Sequence, residues 1–506
     1  MLKLQPATFE EFEREAARGN VVPVVRSVLA DLQTPVAAFM LIAHDAPYAF
    51  LLESIEGGER LARYSFLGAN PSMIVRGRGA RTVIERDGEN EVRENQNAVE
   101  FVRDYFREQK LARRAGLAPL TGGAVGYLAY DAAHWFEPVL FTEEDIDGDR
   151  DGARDDAVWM FYRTILAFDR VRQQMEITSV VFTDESDGNR SRLRDLYENA
   201  VAETERVEGL LNGGLSALPA AAGNAVKSDG VFKSSWPRKN FERAVASVKE
   251  YIAAGDCYQA VVSQRFTKQT QAEPLTVYRA LRATNPAPYM YFLRLGQETI
   301  IGASPEMLVR CHGQRLDYRP IAGTRKRGAT EAEDWMLGEE MLADEKEVAE
   351  HTMLVDLGRN DLGRVSDYGS VQVEELMNVE RYSQVQHLVT SLRSRLRDGL
   401  DRFDALASCF PAGTVTGAPK IRAMEIIREL EPVRRGVYAG TILYADYADN
   451  LDSCIAIRTI VMSDGKASVQ AGAGIVADSV PEREYEETVN KAEALFRAVE
   501  LAERGL

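Results

Sequence analysis

The chain has 506 residues, of which 45% are hydrophobic and 27% are charged, as in an ordinary globular protein. Its formal net charge of −17 argues against a protein that binds nucleic acid or an anionic membrane surface, because both need a surplus of lysine and arginine. The length allows two domains or one large composite fold. The N-terminus lacks the apolar segment of a signal peptide, and the four cysteines are dispersed, so we expect a cytoplasmic protein with reduced thiols.

The first part of the chain carries mainly strand patterns. Apolar runs alternate with turn residues from Ala38 to Glu53, and the segments 159–169 and 174–182 together predict a β-hairpin. Residues 190–211 then show helical periodicity. We therefore predict an N-terminal region, residues 1–211, in which strands predominate.

A stretch of small and polar residues, 212–231, follows and is typical of a linker. Beyond it, residues 232–506 form the predicted C-terminal region. This region begins with an amphipathic helix that ends at Gly255, continues with several short strands, and includes a long acidic helix from Glu331 to Val355. Strands and helices alternate without a regular βαβ order, which favours an α+β fold.

Two predicted helices carry a pair of glutamates three positions apart, Glu347 with Glu350 and Glu484 with Glu487. Residues at this spacing share one helix face, where like charges repel, so the pairs do not stabilise their helices. A solvated acidic surface explains either pair alone. The two pairs together favour a cation site, and Mg²⁺ fits because it prefers carboxylate and water oxygens. Lys491 lies on the same predicted face as the second pair.

Two glycine-containing segments are typical of anion-binding sites. Gly472 and Gly474 lie in a run of small residues, which predicts a loop with exposed backbone N–H groups. The segment 410–420 leads from a loop into a helix N-terminus, but it lacks the Gly-Lys-Ser/Thr sequence of a nucleotide-binding P-loop. Arg458 lies within an apolar run that begins at Cys454 and predicts a strand, and a buried arginine there needs an anionic partner.

Together these motifs resemble those of the chorismate-utilising enzymes, most closely the enzymes that make anthranilate. The resemblance extends over nearly the whole chain, in the segments 51–54, 122–127, 255–259, 302–306, 320–324, 354–363, 410–420 and 470–475. It implies an α+β fold in which two β-sheets pack against each other with helices on the outside. It also implies the Mg²⁺-dependent conversion of chorismate and ammonia to anthranilate and pyruvate, the first step of tryptophan biosynthesis.

The resemblance implies a role for each candidate residue. The expected metal ligands are Glu350 and Glu487, supported through water by Glu347 and Glu484. The expected catalytic residues are Glu306, His387 and Thr414. The expected substrate-binding residues are Gly323, Thr324, Tyr438, Arg458, Gly472, Gly474 and Lys491. Glu306 is expected to act as the general acid on the departing hydroxyl group, and His387 is expected to assist the loss of pyruvate.

Two positions separate this chain from sister enzymes that use the same substrate. Enzymes that make aminodeoxychorismate typically carry a lysine nucleophile where this chain has Ala322, and isochorismate synthases carry a lysine base where it has Gln259. Both differences favour anthranilate as the product. An aminodeoxychorismate synthase and a non-catalytic, tryptophan-sensing homologue are the alternatives.

Feedback inhibition by L-tryptophan is also implied by the resemblance. The expected inhibitor-binding residues are Glu53, Ser54, Pro288, Tyr289, Met290 and Cys454. Cys454 comes four positions before Arg458. If both residues lie in one strand, we expect that strand to couple the inhibitor site to the active site.

The expected source of ammonia is a separate protein. The sequence lacks the cysteine elbow and the paired histidine of a glutamine-hydrolysing module. A glutamine amidotransferase subunit is therefore the expected partner, in a heterotetramer with two copies of each subunit. No nucleic-acid or membrane partner is expected.

Overall fold

Two antiparallel β-sheets form the centre of the structure. The computed structural model describes residues 3–55, 63–140, 154–214, 230–382 and 385–506. The strands, numbered along the chain, are β1 (Leu4–Gln5), β2 (Val21–Leu29), β3 (Tyr48–Glu53), β4 (Tyr64–Ala69), β5 (Met73–Arg78), β6 (Arg81–Arg86), β7 (Glu89–Glu94), β8 (Gly123–Leu128), β9 (Ala157–Tyr162), β10 (Thr164–Asp169), β11 (Gln174–Phe182), β12 (Lys233–Ser234), β13 (Gln259–Gln269), β14 (Tyr289–Leu295), β15 (Glu298–Ser304), β16 (Met307–His312), β17 (Arg315–Tyr318), β18 (Ile321–Lys326), β19 (Gln372–Arg381), β20 (Val385–Arg395), β21 (Gly417–Ala418), β22 (Thr441–Asp446), β23 (Asn450–Ile455), β24 (Thr459–Ser463) and β25 (Lys466–Ile475).

Helices cover the outer faces of both sheets. They are α1 (Phe9–Ala16), α2 (Pro35–Ile42), α3 (Ala98–Arg107), α4 (Arg190–Asn212), α5 (Arg238–Ala254), α6 (Pro274–Thr284), α7 (Glu331–Ala343), α8 (Glu345–Gly363), α9 (Arg402–Cys409), α10 (Gly413–Thr416), α11 (Lys420–Leu430) and α12 (Pro481–Arg504). Short 3₁₀ turns lie at Tyr130–Trp135, Pro138–Leu140 and Thr183–Ser186. No helix in the described ranges is long and apolar enough to cross a membrane.

The first sheet has 13 strands and the second has 12, and every pairing between neighbours is antiparallel. The first sheet runs in the order β1-β2-β11-β10-β4-β3-β14-β15-β24-β25-β13-β12, with β21 also paired to β13. The second runs β18-β20-β17-β16-β23-β22-β8-β9-β5-β6-β7, with β19 also paired to β20. The predicted α+β fold of two packed sheets is therefore confirmed.

Three large apolar layers and two smaller clusters, one under helices α5 and α11 and one under helix α1, hold the sheets and helices together. The middle layer lies between the sheets and combines Phe50 and Leu293 of the first sheet with Tyr127 and Met160 of the second. A second layer lies between the first sheet and helices α2, α4, α6 and α12. The third lies between the second sheet and helices α3, α8 and α9. Burial of these apolar side chains is the main favourable contribution to folding.

Strands from both sides of the predicted linker share each sheet. In the first sheet β3 pairs with β14, where Leu51 lies opposite Phe292. In the second sheet β8 pairs with β22, where Val125 lies opposite Tyr444. The two regions, 1–211 and 232–506, therefore contribute to common sheets, while most of the linker 212–231 lies outside the described residues.

Four predicted elements differ from the structure. The predicted hairpin strand 159–169 is two strands of different sheets, β9 and β10, and only β10 pairs with β11. The single helix predicted from Glu331 to Val355 is two helices, because Asp344 accepts hydrogen bonds from the backbone of the next turn and caps the second helix. The segment 38–53 is not all strand, since Thr34 caps helix α2 before strand β3 begins. The run containing Gly472 and Gly474 is strand β25 rather than a loop.

We expect Gly126→Ala to destabilise the fold. Gly126 lies in β8 between β9 and β22, and a Cβ atom there would lie only 1.8 Å from the carbonyl oxygen of Val158. The strands would have to separate, at a cost of about 1–3 kcal/mol or more. Urea unfolding should therefore show a lower free energy of unfolding for this variant.

Gly209→Ala provides the matched control. Gly209 lies in helix α4, and a Cβ atom there would meet nothing within 4 Å. This substitution should raise the free energy of unfolding by about 0.5–1 kcal/mol, because alanine restricts the unfolded chain. Equal effects of the two substitutions would contradict the argument from close strand contact.

Candidate active site

A cavity of about 210 Å³ lies where the two sheets meet helices α8, α10 and α12. All ten predicted catalytic and substrate-binding residues line it, together with one of the predicted metal ligands. These residues are Glu306, Gly323, Thr324, Glu350, His387, Thr414, Tyr438, Arg458, Gly472, Gly474 and Lys491. Residues that are far apart in the sequence therefore line one chamber.

Glu306 is a buried carboxyl group in the wall of this cavity. Burial raises its pKa to about 8, even though Thr414, the backbone of Ile321 and the charge of Lys491 act in the opposite direction. The backbone N–H of Glu306 donates a hydrogen bond to Ser304 Oγ at 3.3 Å, which helps to fix the turn between β15 and β16. At neutral pH this side chain holds a proton that it can donate into the cavity.

His387 lies on β20 and faces the cavity as a neutral imidazole. Burial lowers its pKa, and a hydrogen bond to the backbone oxygen of Gly323 only partly offsets that effect. Its Nδ1 lies 2.8 Å from that oxygen and 3.2 Å from Thr324 Oγ1. Because Nδ1 must carry the proton to donate to a carbonyl, Nε2 is the basic nitrogen in this arrangement.

Helices α8 and α12 each carry two of the predicted carboxylates, and the two pairs act on each other electrostatically. Desolvation by the surrounding protein is the largest cause of the raised pKa of Glu350, and the negative charges of Glu347 and Glu487 add to it. Part of the Glu350 side chain remains exposed to solvent. Burial also raises the pKa of Glu484, and the negative charge of Glu487 adds to this effect. Shifts in this direction mean that the charged forms are destabilised, first by burial and then by the neighbouring carboxylates, and a cation would offset both effects.

Two cations of the protein partly balance this charge. Lys491 Nζ lies 2.6 Å from Glu487 and 3.0 Å from the carbonyl oxygen of Gly472, and Arg325 lies 2.8 Å from Glu347. The donor set contains only carboxylate oxygens, which suits Mg²⁺. In the described part of the chain, no group of three or more His, Cys, Asp and Glu side chains lies close enough together to hold a metal ion. Mg²⁺ commonly takes its remaining ligands from water and substrate.

Arg458 reaches the cavity from a strained backbone. Its φ of 51° is in the left-handed region, and its guanidinium donates a 2.7 Å hydrogen bond to the carbonyl oxygen of Lys491. Desolvation lowers its pKa, so an anion beside it would be strongly favoured. The residue lies between β23 and β24, whereas Cys454 lies within β23, so the prediction that both share one strand is wrong.

Glycines in β25 let neighbouring side chains approach the strand closely. A Cβ atom on Gly472 would lie 2.8 Å from Tyr438 Oη, and one on Gly474 would lie 2.5 Å from Gln259 Nε2. The glycines therefore make room for side chains, in a strand that pairs with β13. This packing explains why the predicted loop is a strand.

Several lining residues were missed by sequence reasoning. They include Val261, Ile457, Gln470 and Leu495. Leu495 follows Lys491 at the i+4 spacing that places both on one helix face, and Val261 follows Gln259 at the i+2 spacing of one strand face. Those two could have been found from periodicity, whereas Ile457 lies in an irregular turn and had no such signal.

A second cavity, of about 370 Å³, contains all six predicted inhibitor-binding residues in its lining. Glu53 is fully buried there, and its carboxylate accepts hydrogen bonds from Tyr278 at 2.6 Å and Arg282 at 2.9 Å. Arg310 and Asp452 form an ion pair of 2.7 Å in the same lining. Aromatic side chains complete the walls, at Tyr64, Phe66, Tyr289, Tyr291 and Tyr444. The chamber thus offers charged groups beside an apolar surface.

Comparisons with known proteins agree with this architecture. The family model of the chorismate binding enzymes matches residues 47–497. Anthranilate synthase component 1 of Acetivibrio thermocellus is 46% identical over 502 residues, which cover 98% of each chain. The crystal structure of anthranilate synthase component I from Streptococcus pneumoniae TIGR4 is 34% identical, with a TM-score of 0.74 over 93% of this chain and 99% of that one.

A more distant structure shares the fold alone. The menaquinone-specific isochorismate synthase MenF of Escherichia coli is 18% identical, with a TM-score of 0.69 over 97% of each chain. The two-sheet architecture is thus common to proteins that differ widely in sequence. With nearly its full length matched by the family model and by close relatives, the chain belongs to the chorismate binding enzyme family, and within it to the anthranilate synthase component 1 group.

Proposed function

We propose that this chain converts chorismate and ammonia to anthranilate and pyruvate. The observation that carries the proposal is the convergence, in one cavity, of a protonated carboxyl group, a neutral imidazole and two cationic side chains. Membership of the anthranilate synthase component 1 group supports the same reaction. This reaction is the first step of tryptophan biosynthesis.

The substrate is a dicarboxylate, and the cavity offers matching groups. Arg458 and Lys491 supply positive charge, while Tyr438 and Thr414 supply hydroxyl groups. Gly474 also lies in the lining, and Gly323 and Thr324 line the space proposed for the ring. Binding of an anion would offset the desolvation that Arg458 already experiences.

The carboxylate cluster is the proposed Mg²⁺ site. Glu350 and Glu487 would hold the ion, with Glu347 and Glu484 supporting it through water. When bound, Mg²⁺ would neutralise a substrate carboxylate and help to orient the ring. Burial and the repulsion of neighbouring carboxylates together raise the pKa of Glu350, and a bound cation would relieve both, which supports this assignment.

Glu306 and His387 are the proposed proton-transfer residues. Glu306 would donate its proton to the C4 hydroxyl group, which leaves as water while ammonia forms a bond to C2. His387 would then assist the step in which the ring becomes aromatic and the enolpyruvyl group departs as pyruvate. The raised pKa of Glu306 and the lowered pKa of His387 give the acid a proton and the base a free nitrogen at neutral pH.

The alternative functions have less support. Ala322 lines the cavity and has no amine to act as the nucleophile expected of an aminodeoxychorismate synthase. Gln259 lies in the same lining and cannot act as a base on water. A non-catalytic sensor would not need a complete set of charged residues in the first cavity.

The second cavity is the proposed site of feedback inhibition by L-tryptophan. Its aromatic and apolar walls suit an indole ring, and its charged groups suit the amino and carboxylate groups. Cys454 lies in its lining on β23, and the chain passes from that strand into the turn that carries Arg458. This turn is the proposed physical link between the two cavities.

A glutamine amidotransferase subunit is the proposed partner, in a heterotetramer with two copies of each subunit. The relatives are named component 1, which implies a further component. The partner would release ammonia from glutamine, and ammonium salts should replace it in vitro. A cytoplasmic location fits this metabolic role.

We expect anthranilate production to depend on Mg²⁺ through Glu350. Purified protein with chorismate and an ammonium salt should produce anthranilate fluorescence, and EDTA should abolish it. Glu350→Gln removes one ligand charge and should raise the Mg²⁺ concentration for half-maximal activity by more than about 10-fold. Calorimetric titration with Mg²⁺ gives an independent measure of binding.

Glu339→Gln is the control, because Glu339 is an exposed glutamate on the neighbouring helix α7. It should respond to Mg²⁺ like the unmodified protein. Consumption of chorismate without anthranilate would instead indicate one of the sister reactions. No consumption at all would favour the non-catalytic alternative.

Glu306→Gln should lower activity and raise stability. Loss of the proton donor should reduce kcat by about 10²–10⁴-fold. The pKa of Glu306 is about 8 in the folded protein, compared with an ordinary value of 4.5. Between pH 4.5 and 8 the folded protein therefore keeps a proton on Glu306 that the unfolded chain has lost. The free energy of unfolding consequently falls as the pH rises through this range. Glutamine resembles the protonated form and escapes this loss.

The two proteins should therefore differ little in thermal midpoint near pH 4.5 and most at pH 8 and above. There the variant should be more stable, on the order of a few kcal/mol. The kcat of the unmodified protein, measured at constant neutral ammonia, should fall above pH 8. A variant that is no more stable at pH 8 would show that Glu306 is ionised in the folded protein.

Ser54→Leu should weaken inhibition by tryptophan without lowering basal activity. Ser54 lines the second cavity, and a larger apolar side chain would occupy space that the inhibitor needs. Overpacking of this kind costs about 1–3 kcal/mol, which corresponds to about 5- to 150-fold weaker inhibition. Inhibition curves of anthranilate formation measure the effect.

Ser191→Leu, on the exposed face of helix α4, is the matched control and should leave the inhibition curve unchanged. If Ser54→Leu also leaves it unchanged, the second cavity is not the inhibitor site.

A further inference from the structure

A buried ion pair lies directly behind the wall of the first cavity. Arg435 and Glu431 are separated by 2.7 Å, and their side chains are only 1% and 4% exposed. Neither residue lines that cavity. The reaction proposed above uses neither of them, so the pair requires another explanation.

The Arg435 guanidinium binds two elements that form the cavity wall. It donates 2.7 Å hydrogen bonds to the carbonyl oxygens of Val261 on β13 and of Val415 on α10. Its charge also lies over the ring of Tyr438, 5.6 Å from the centroid. Val261, Val415 and Tyr438 all line the cavity, and Val415 directly follows Thr414.

Glu431 extends the same network to a fourth wall residue. One of its oxygens accepts hydrogen bonds from the backbone N–H and the hydroxyl group of Ser263, at 2.8 and 2.9 Å. The Ser263 hydroxyl in turn accepts a 2.9 Å hydrogen bond from the side-chain amide of Gln470. Gln470 lies on β25 and lines the cavity. One ion pair therefore connects wall residues of four separate segments.

Stability alone does not explain why this pair is charged. Two buried charges must leave water, and apolar residues of similar size often serve the fold as well or better. The pair is also neutral overall, so it adds little to the attraction of an anionic substrate. An apolar pair would lack only the directional hydrogen bonds to the carbonyl and hydroxyl groups behind the cavity.

We propose that Arg435 is a positioning residue that holds Val261, Val415 and Tyr438 in the arrangement needed for catalysis, and that Glu431 orients Arg435 and Gln470. This inference rests on the proposed function, because it concerns the geometry of that reaction. Tyr438 is also a proposed substrate-binding residue, but the two cations that would bind the substrate carboxylates, Arg458 and Lys491, lie outside the hydrogen bonds of this network. The pair should therefore affect kcat much more than the KM for chorismate.

The test replaces both charges at once. The double variant Arg435→Met/Glu431→Leu leaves no buried charge unpaired, so it should fold and keep a thermal midpoint close to that of the unmodified protein. Its kcat for anthranilate formation should fall about 100-fold, because displacement of reacting groups by about 1 Å has effects of this size. The KM for chorismate should change less than about 3-fold, as expected when ground-state binding is retained.

A second buried ion pair provides the matched control. Lys268 and Glu503 lie 2.7 Å apart with side chains 3% and 7% exposed, and neither lines the cavity. Lys268→Met/Glu503→Leu should leave both kcat and KM near those of the unmodified protein. A similar fall in kcat in both double variants would mean that loss of any buried pair is damaging, and it would overturn the specific role of Arg435.

Arg435→Lys keeps the charge opposite Glu431 and serves if the first double variant does not fold. Lysine cannot make the same planar set of bonds, so kcat should fall at least 10-fold at unchanged thermal midpoint. Unchanged kcat in this variant, or in a folded double variant, would reject the positioning role. Absence of anthranilate from the unmodified protein and the control pair alike would instead reject the proposed function itself.

Discussion

Burial removes water from the ionisable groups of the first cavity, and this desolvation determines most of their chemistry. Packing of two sheets and three helices around a small chamber raises the pKa of Glu306 and lowers those of His387 and Arg458. Each shift favours the neutral form of a group that would be charged in water. The same desolvation makes Arg458 receptive to an anion and turns Glu306 into a proton donor. The acidity of Glu306, the neutral state of His387 and the affinity of Arg458 for an anion thus have the same cause, which is burial.

The two cavities differ in how completely the protein itself neutralises their carboxylates. In the second, Glu53 already has Tyr278 and Arg282 as partners, so its charge is satisfied by the protein. In the first, Glu350 lies within the electrostatic influence of Glu347 and Glu487, and Lys491 and Arg325 balance only part of that negative charge. A cavity whose carboxylate is already neutralised by the protein suits a ligand that stabilises one conformation. A cavity with excess negative charge suits a cation and a substrate that bind and are released.

The fold class could be predicted from the sequence, and the predicted catalytic and substrate-binding residues line one cavity in the structure. Both results have physical reasons. The spacing of Glu484, Glu487 and Lys491 specifies one helix face whatever the tertiary structure, and α12 has that helix. Helix α5 ends at Gly255 as predicted, because a glycine that stops a helix is a local signal. By contrast, Gly472 was assigned to a loop because only tertiary packing against Tyr438 explains a glycine in that strand. The ion pair of Arg435 and Glu431 could not be predicted from the sequence, because its contacts join segments that are distant along the chain.

The sharing of both sheets by distant parts of the chain has a consequence for synthesis. Strands β3 and β8 leave the ribosome long before their partners β14 and β22 exist. At about 5–20 residues per second, their hydrogen-bonding edges stay unpaired for on the order of ten seconds or more. Open edges of this kind recruit strands from neighbouring chains. The yield of native protein in a foreign host should therefore depend on translation speed and on chaperones that shield those edges.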